Sequence, residues 1–322
     1  MRCHLFATMT IAALLAGCAS VSAGATSLAG SPAKAGSSPP GSAPSSPAEP
    51  PQPPATLKQT LDAAAAAVAA GDLSKADRAI ASAAETAGDN AHFKYLVART
   101  RAMRYVVASD LDRAGAAFIE VIPTLAQHPE LIDEFWSHNA MMMIREAQGD
   151  PAAALAENDQ ATLCAERGTW MTPTERATLA FQKDRWHRAY LTRMLAESRA
   201  GSTKQALVEY ARAALDEYRP RGFPESVAVL EAYFAALDGK PEAALAAAKR
   251  VDPAQDDDVE DLYLVVVGLE AGGDYGAAEV VRRQMRRPGG PSIARAIMLR
   301  WLDLDESPAA VRGFTPLHAT AR

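Results

Sequence analysis

The sequence predicts an all-α fold built from repeated helical hairpins, and three observations lead to it. Over residues 56–306 alanine dominates, β-branched and aromatic residues are sparse, and no run alternates apolar with polar as a half-buried strand would. A short segment recurs six times: "GDLSKA" at 71–76, "SDLDRA" at 109–114, "GDPAAA" at 149–154, "GSTKQA" at 201–206, "GKPEAA" at 239–244 and "GDYGAA" at 273–278. Each copy lies between two helical stretches, and its closing alanine starts an apolar stripe. Ile80, Phe118 and Tyr210 follow four residues on, and Ala83, Val121, Ala161, Ala213 and Val251 seven on. That spacing is one face of a helix.

Taken from the start, the chain opens with Arg2 and an apolar stretch from Leu5 to Ala16. This stretch falls short of the about 20 residues a membrane-spanning helix needs, and it reads as a secretory signal over residues 1–17. It ends Leu15-Ala16-Gly17-Cys18, which resembles the lipobox of bacterial lipoproteins. The resemblance implies cleavage before Cys18 and acylation of that cysteine, with palmitate among its fatty acids. Three acyl chains, each buried methylene contributing about 0.8 kcal/mol, would hold it in a membrane. The next residue is Ala19 rather than the Asp that tends to retain such proteins at the inner membrane. The resemblance therefore implies a lipid anchor in the outer membrane, facing the periplasm.

Residues 18–55 are expected to be a disordered linker. Nine of the 21 prolines fall between 19 and 55, with Lys34 and Glu49 the only charges and no aromatic residue. Such a stretch cannot bury enough apolar surface to offset its chain entropy. With Cys3 in the signal and Cys18 acylated, Cys164 is the one remaining thiol, so no intramolecular disulfide is expected. Its alanine-rich setting predicts a buried, inert thiol.

Within the body, Gly71, Gly149, Gly239 and Gly273 stand where a helix ends and the backbone turns, which favours positive φ. Asp72, Asp110, Asp150 and Asp274 are placed to cap the next helix, and Pro151 and Pro241 take its first position. The alanines at 76, 114, 154, 206, 244 and 278 are small enough for two helices to approach closely. This pattern resembles the tetratricopeptide (TPR) family of helix–turn–helix repeats over about residues 57–290. The resemblance implies an α-solenoid of about six TPR-like repeats, each needing neighbours to bury its faces. The first helices lack the family's aromatic and Leu-Gly positions, and Asn158, Ala248 and Arg282 replace bulky residues in the second helices. A true TPR array and a looser TPR-like solenoid therefore both remain open. The 52-residue interval between the third and fourth copies holds Thr172-Pro173-Thr174-Glu175, a capping box that starts one long helix or an extra one. "IARAIMLRWLDL" at 293–304 reads as a C-terminal capping helix, and 307–322 as a loose tail.

Function is less legible. A net charge of −6 gives no basic face for nucleic acid. No H-E-x-x-H, G-x-S-x-G, C-x-x-C, P-loop or G-x-G-x-x-G motif occurs, and the histidines at 92, 128, 138, 187 and 318 are scattered. Neither an enzyme, nor a metal, nor a cofactor is expected. "DDDVED" at 256–261 lacks a calcium-loop pattern, and "RRQMRR" at 282–287 suits a helix C-terminus or an anionic docking patch. If the TPR resemblance holds, the family's concave face maps onto Arg99, Met103, Trp136, Asn139, Met143, Glu146, Arg188, Tyr233 and Tyr263, a groove suited to a peptide or partner helix. The resulting expectation is a membrane-anchored adaptor that binds a protein partner in the cell envelope, in envelope, secretion-channel or pilus assembly. An activator of a cell-wall synthase and a passive structural lipoprotein are alternatives. A hydrolase would need an acid pair, or a nucleophile and base such as Cys164 and a histidine, brought together from separate repeats.

Overall fold

Helix starts in this chain are fixed by short local signals. Asp72, Asp110, Asp150 and Asp274 each accept a hydrogen bond of 2.9 to 3.1 Å from the backbone amide three residues ahead. Each so satisfies one of the amides that a helix N-terminus leaves free. Pro151 and Pro241 occupy the first helical position, where a missing N–H costs nothing. Thr172 and Glu175 form the reciprocal capping box, and a single 25-residue helix follows it.

The computed structural model describes residues 51–254, 258–286, 293–294 and 296–298. The expected signal (1–17), Cys18, the expected linker as far as residue 50, and the expected tail (307–322) lie outside the described residues. Among the described residues there are helices and no strands. They are α1 (Ala55–Ala69), α2 (Leu73–Ala87), α3 (Ala91–Val107), α4 (Leu111–Ile119) and the single turn α5 (Ile122–Leu125). Then come α6 (Asp133–Ala147), α7 (Pro151–Arg167), α8 (Pro173–Glu197), α9 (Gly201–Tyr218), α10 (Pro224–Leu237), α11 (Pro241–Ala248), α12 (Val259–Ala271) and α13 (Tyr275–Met285). None is long and apolar enough to cross a membrane.

The helices pack in neighbouring pairs: α1 on α2, α3 on α4, α6 on α7, α8 on α9, α10 on α11 and α12 on α13. The second helix of each pair also touches the first helix of the next. Of the predicted C-terminal helix, residues 293–294 and 296–298 are described and helical, and Ile293, Ile297 and Met298 join the main apolar core.

Five of the six turns share one geometry. A residue with φ between +66° and +78° (Gly71, Ser109, Gly149, Gly239 or Gly273) is followed by one whose amide bonds to the carbonyl five residues back. Asp72 to Ala67, Asp110 to Tyr105, Asp150 to Arg145, Lys240 to Ala235 and Asp274 to Leu269 all do so at 2.9 Å. This Schellman arrangement satisfies the last carbonyls of the first helix. Glycine adopts that φ freely, whereas Ser109 carries a side chain into it. Beyond these turns the third and tenth residues after the first of each second helix are buried, and so is the seventh except at Arg282 of α13, which is partly exposed. The third is Ala76, Ala114, Ala154, Ala244 or Ala278, all fully buried. Later in the body Gly268 brings α12 onto two helices, since a Cβ there would lie 2.8 Å from that of Ala232 on α10 and 3.2 Å from that of Ala248 on α11.

The fourth hairpin departs from this pattern and corrects the sequence register. Ala206, Tyr210 and Ala213, expected in the apolar stripe, are exposed. Helix α9 begins at Gly201 itself, two residues earlier relative to the motif than the other second helices. Counting from that start, the equivalent positions fall to Lys204 and Val208, which are partly exposed, and Ala211, which is buried, as are Ala214, Leu215 and Tyr218 further on. Lys204, where the other hairpins have alanine, bonds to Glu197 at 2.8 Å.

Candidate functional site

The first helices α3, α6, α8, α10 and α12 supply the residues expected on a binding face, and the structure divides them into two groups. Arg99, Trp136, Asn139 and Arg188 are partly exposed. Met103, Met143, Glu146, Tyr233 and Tyr263 are buried and present no surface to a partner. The physical reason is packing: Met103, Met143, Tyr233 and Tyr263 belong to the main apolar core, and Glu146 is closed off against Tyr190 of the neighbouring first helix α8.

The exposed members differ in what they touch. Arg188 is held by Asp184 and Asp159, both at 2.6 Å. Trp136 sits edge-on to Phe135, with ring centroids 4.8 Å apart. Arg99 lies 6.0 Å from the centre of the Tyr95 ring. Together with Leu61, Leu96 and Met103 it lines a cavity of about 70 Å³ that Ile293 of the C-terminal helix also lines. At this position the face is covered by the chain's own segment. A larger surface cavity of about 500 Å³ opens between α7 and α8, lined by Glu166, Arg176, Phe181, Asp184, Arg185 and Arg221 among others. Arg221 stacks over Phe181 at 3.7 Å.

Beneath the face lies a polar seam that the sequence did not show. Tyr190 of α8 donates its hydroxyl proton to Glu146 of α6, and the Tyr190 and Tyr233 rings meet edge-on at 5.2 Å. Burial pushes the Glu146 carboxyl well above the ordinary carboxylate value, and the charge on Glu260 pushes it further. Glu260 of α12 is itself buried, which works to raise it. His187, 3.6 Å away, and then Lys183 outweigh that and hold its carboxyl below the ordinary value. Two acids shifted in opposite directions thus lie in one interior. The oxygens Glu146 Oε2 and Glu260 Oε1 have no hydrogen-bond partner among the described residues.

A second convergence joins α6 and α7. Glu134 and His138 lie four residues apart on one face of α6, and Cys164 of α7 meets them. Arg167 pairs with Glu134, and Glu157 holds His138 Nδ1 at 2.7 Å. Cys164 is buried as expected, and burial together with the nearby Glu134 carboxylate pushes its thiol up to about 12. Such a thiol stays protonated and is a poor nucleophile. The scatter of the histidines stands, but the sequence did not show this mixed group, because its third member comes from another helix. The only signal in the sequence was the i, i+4 spacing of Glu134 and His138.

Comparison with protein-family models, with curated proteins and with solved structures gives no match.

Proposed function

We propose that the chain is a TPR-like α-solenoid adaptor, anchored in the outer membrane through lipid on Cys18, that holds a protein partner in the periplasm. The observation that carries this reading is the regular hairpin series, in which each second helix packs on the next first helix and five turns repeat one backbone geometry. Such an array has no single catalytic cleft built into it, and its natural product is an extended binding face. Trp136 and Asn139 on α6 offer an aromatic and a polar contact on that face, a combination suited to a partner helix or peptide. The anchor rests on Leu15-Ala16-Gly17-Cys18 and Ala19. Envelope, secretion-channel or pilus assembly is the setting this plan fits, with activation of a cell-wall synthase as one form of it.

A photoreactive residue at Trp136 or Asn139, crosslinked in cells, tests the face, with Tyr275 on the second helix α13 as the reference position. One defined protein adduct from α6 that is absent at Tyr275 supports the adaptor. Equal capture at all three positions, or none, removes it. Cys18→Ser tests the anchor separately: an uncleaved precursor without palmitate label is expected, and normal acylation would sink that part.

A passive structural lipoprotein is the second reading, favoured by one observation: Ile293 lines the same small cavity as Arg99 and Met103. A hydrolase is disfavoured by the protonated Cys164 thiol and by the full burial of Glu146.

A further inference from the structure

We propose that Glu134, His138 and Cys164 form a binding site for one thiophilic divalent cation, with Zn²⁺ the best fit, that staples α6 to α7. A carboxylate oxygen, a ring nitrogen and Sγ lie within 4.8 Å of one another. With metal–ligand bonds of about 2.0–2.3 Å, a tetrahedral site would draw the most widely separated of these atoms together by about 1–1.5 Å. That is a side-chain adjustment, and the helices need not move. The inference is independent of the adaptor reading.

Four features of the surroundings point to a ligand and away from chance proximity. All three donors are buried, at 6, 9 and 4 % exposure, so a bound ion would be held away from competing water. The O, N and S donor set suits borderline-soft Zn²⁺ better than Mg²⁺ or Ca²⁺, which take oxygen ligands. Glu157 holds His138 Nδ1 at 2.7 Å. This is the outer carboxylate that orients a metal-binding imidazole and leaves Nε2 as the ligating nitrogen. Lastly, a cation already bridges two of the donors: Arg167 pairs with Glu134 and approaches Cys164 Sγ at 3.6 Å. Its side chain is 51 % exposed, so it can leave toward solvent when a metal takes its place.

Binding would deprotonate Cys164, the proton passing to solvent as the metal–sulfur bond forms. Two negative ligands then balance the charge of the ion. The fourth position stays with water or with a second oxygen of Glu134. Phe135, Trp170 and Ala180 pack around Cys164 and keep that side dry. Because Trp136 and Asn139 ride on the same helix as Glu134 and His138, the ion would also fix the part of α6 that carries them.

The test is titration of the full chain, reduced and metal-free, with Co²⁺. A thiolate-to-cobalt charge-transfer band and tetrahedral d–d bands are expected, saturating at one ion per chain and displaced by Zn²⁺. Cys164→Ser should lose the charge-transfer band, and Glu157→Gln should keep it while weakening affinity about 10–100-fold. Far-UV circular dichroism reports whether each variant is folded. If Cys164→Ser does not fold, the wild-type titration together with Glu157→Gln decides. Absence of the band in the wild type overturns the proposal. So does a band that survives in Cys164→Ser, or an affinity that Glu157→Gln leaves unchanged.

Discussion

The third and fourth hairpins carry the same six-residue motif and use it differently. In the third, Gly149 turns the chain, Asp150 caps α7, and Ala154 packs fully buried where the two helices meet. In the fourth, Gly201 is the first residue of α9, Ala200 stands at the N-cap without a side-chain hydrogen bond, and Ala206 faces solvent. A missing aspartate does not by itself move the start, since the fifth hairpin has Lys240 at that place and its helix still begins at Pro241. But with α9 starting two residues earlier, every later side chain rotates with it. A lysine paired to Glu197 then stands where alanine stands elsewhere.

The sharpest way to break this comparison is at the residue four beyond the alanine. Phe118 in the second hairpin is 0 % exposed and Tyr210 in the fourth is 53 % exposed. Phe118→Ala should cost about 3–5 kcal/mol in chemical denaturation, whereas Tyr210→Ala should stay within about 0.5 kcal/mol. Similar losses at both would restore the register read from sequence. Next in size is overpacking. Ala114→Leu should destabilise by about 1–3 kcal/mol, and Ala206→Leu should be nearly silent, as read by the thermal midpoint.

The caps come third. Asp150→Ala removes a side-chain acceptor and should cost about 1 kcal/mol. Ala200→Asp supplies one to α9 and should return a gain of similar or smaller size; a loss there would mean that the start of α9 is misplaced. Smaller still is Ser109→Gly. Relief of a left-handed side chain, worth about 1 kcal/mol or more, exceeds the added freedom of the unfolded chain, which costs about 0.4–1 kcal/mol. A net gain of about 0.5 kcal/mol is expected, bringing the second turn level with the third.

The last test changes a slope, where the others change a midpoint, and it acts where these two hairpins touch. Glu146 belongs to the third hairpin and Tyr190 to the fourth. The native Glu146 carboxyl is raised above its unfolded value, so the folded chain keeps a proton that the unfolded chain releases. Its favourable contribution is complete below the ordinary value of 4.5 and is lost as pH rises toward the native one. The thermal midpoint should therefore decline on this account as pH rises above about 5. Glu146→Gln keeps an acceptor for Tyr190 without the titration, and should flatten that decline. An unchanged slope would mean that Glu146 is not held neutral. Glu260 works in the opposite sense, its depressed value adding stability that is lost only as pH falls below 4.5.

Much of the fold could be read from residues close together in the chain. The caps at Asp72, Asp110, Asp150 and Asp274, the prolines at 151 and 241, and the Thr172–Glu175 box are interactions within one helical turn, so the sequence displays both partners side by side. The candidate site was far less legible. Arg99, Trp136, Asn139 and Arg188 are partly exposed as a binding face requires, but the five other expected residues turned inward. Counting back along a helix gives an angle around that helix, and says nothing of how closely its neighbours approach.

What the sequence by itself determined is therefore the helical hairpins, the helix starts other than that of α9, and five of the six turns, because hydrogen bonds over three to five residues fix them. Tertiary structure alone decided the frame of α9, the burial of Glu146 beside Tyr190, and the meeting of Cys164 with Glu134 and His138. Each of these depends on distances between helices. Those are set by the summed packing of many small side chains, and no short stretch of sequence records that sum.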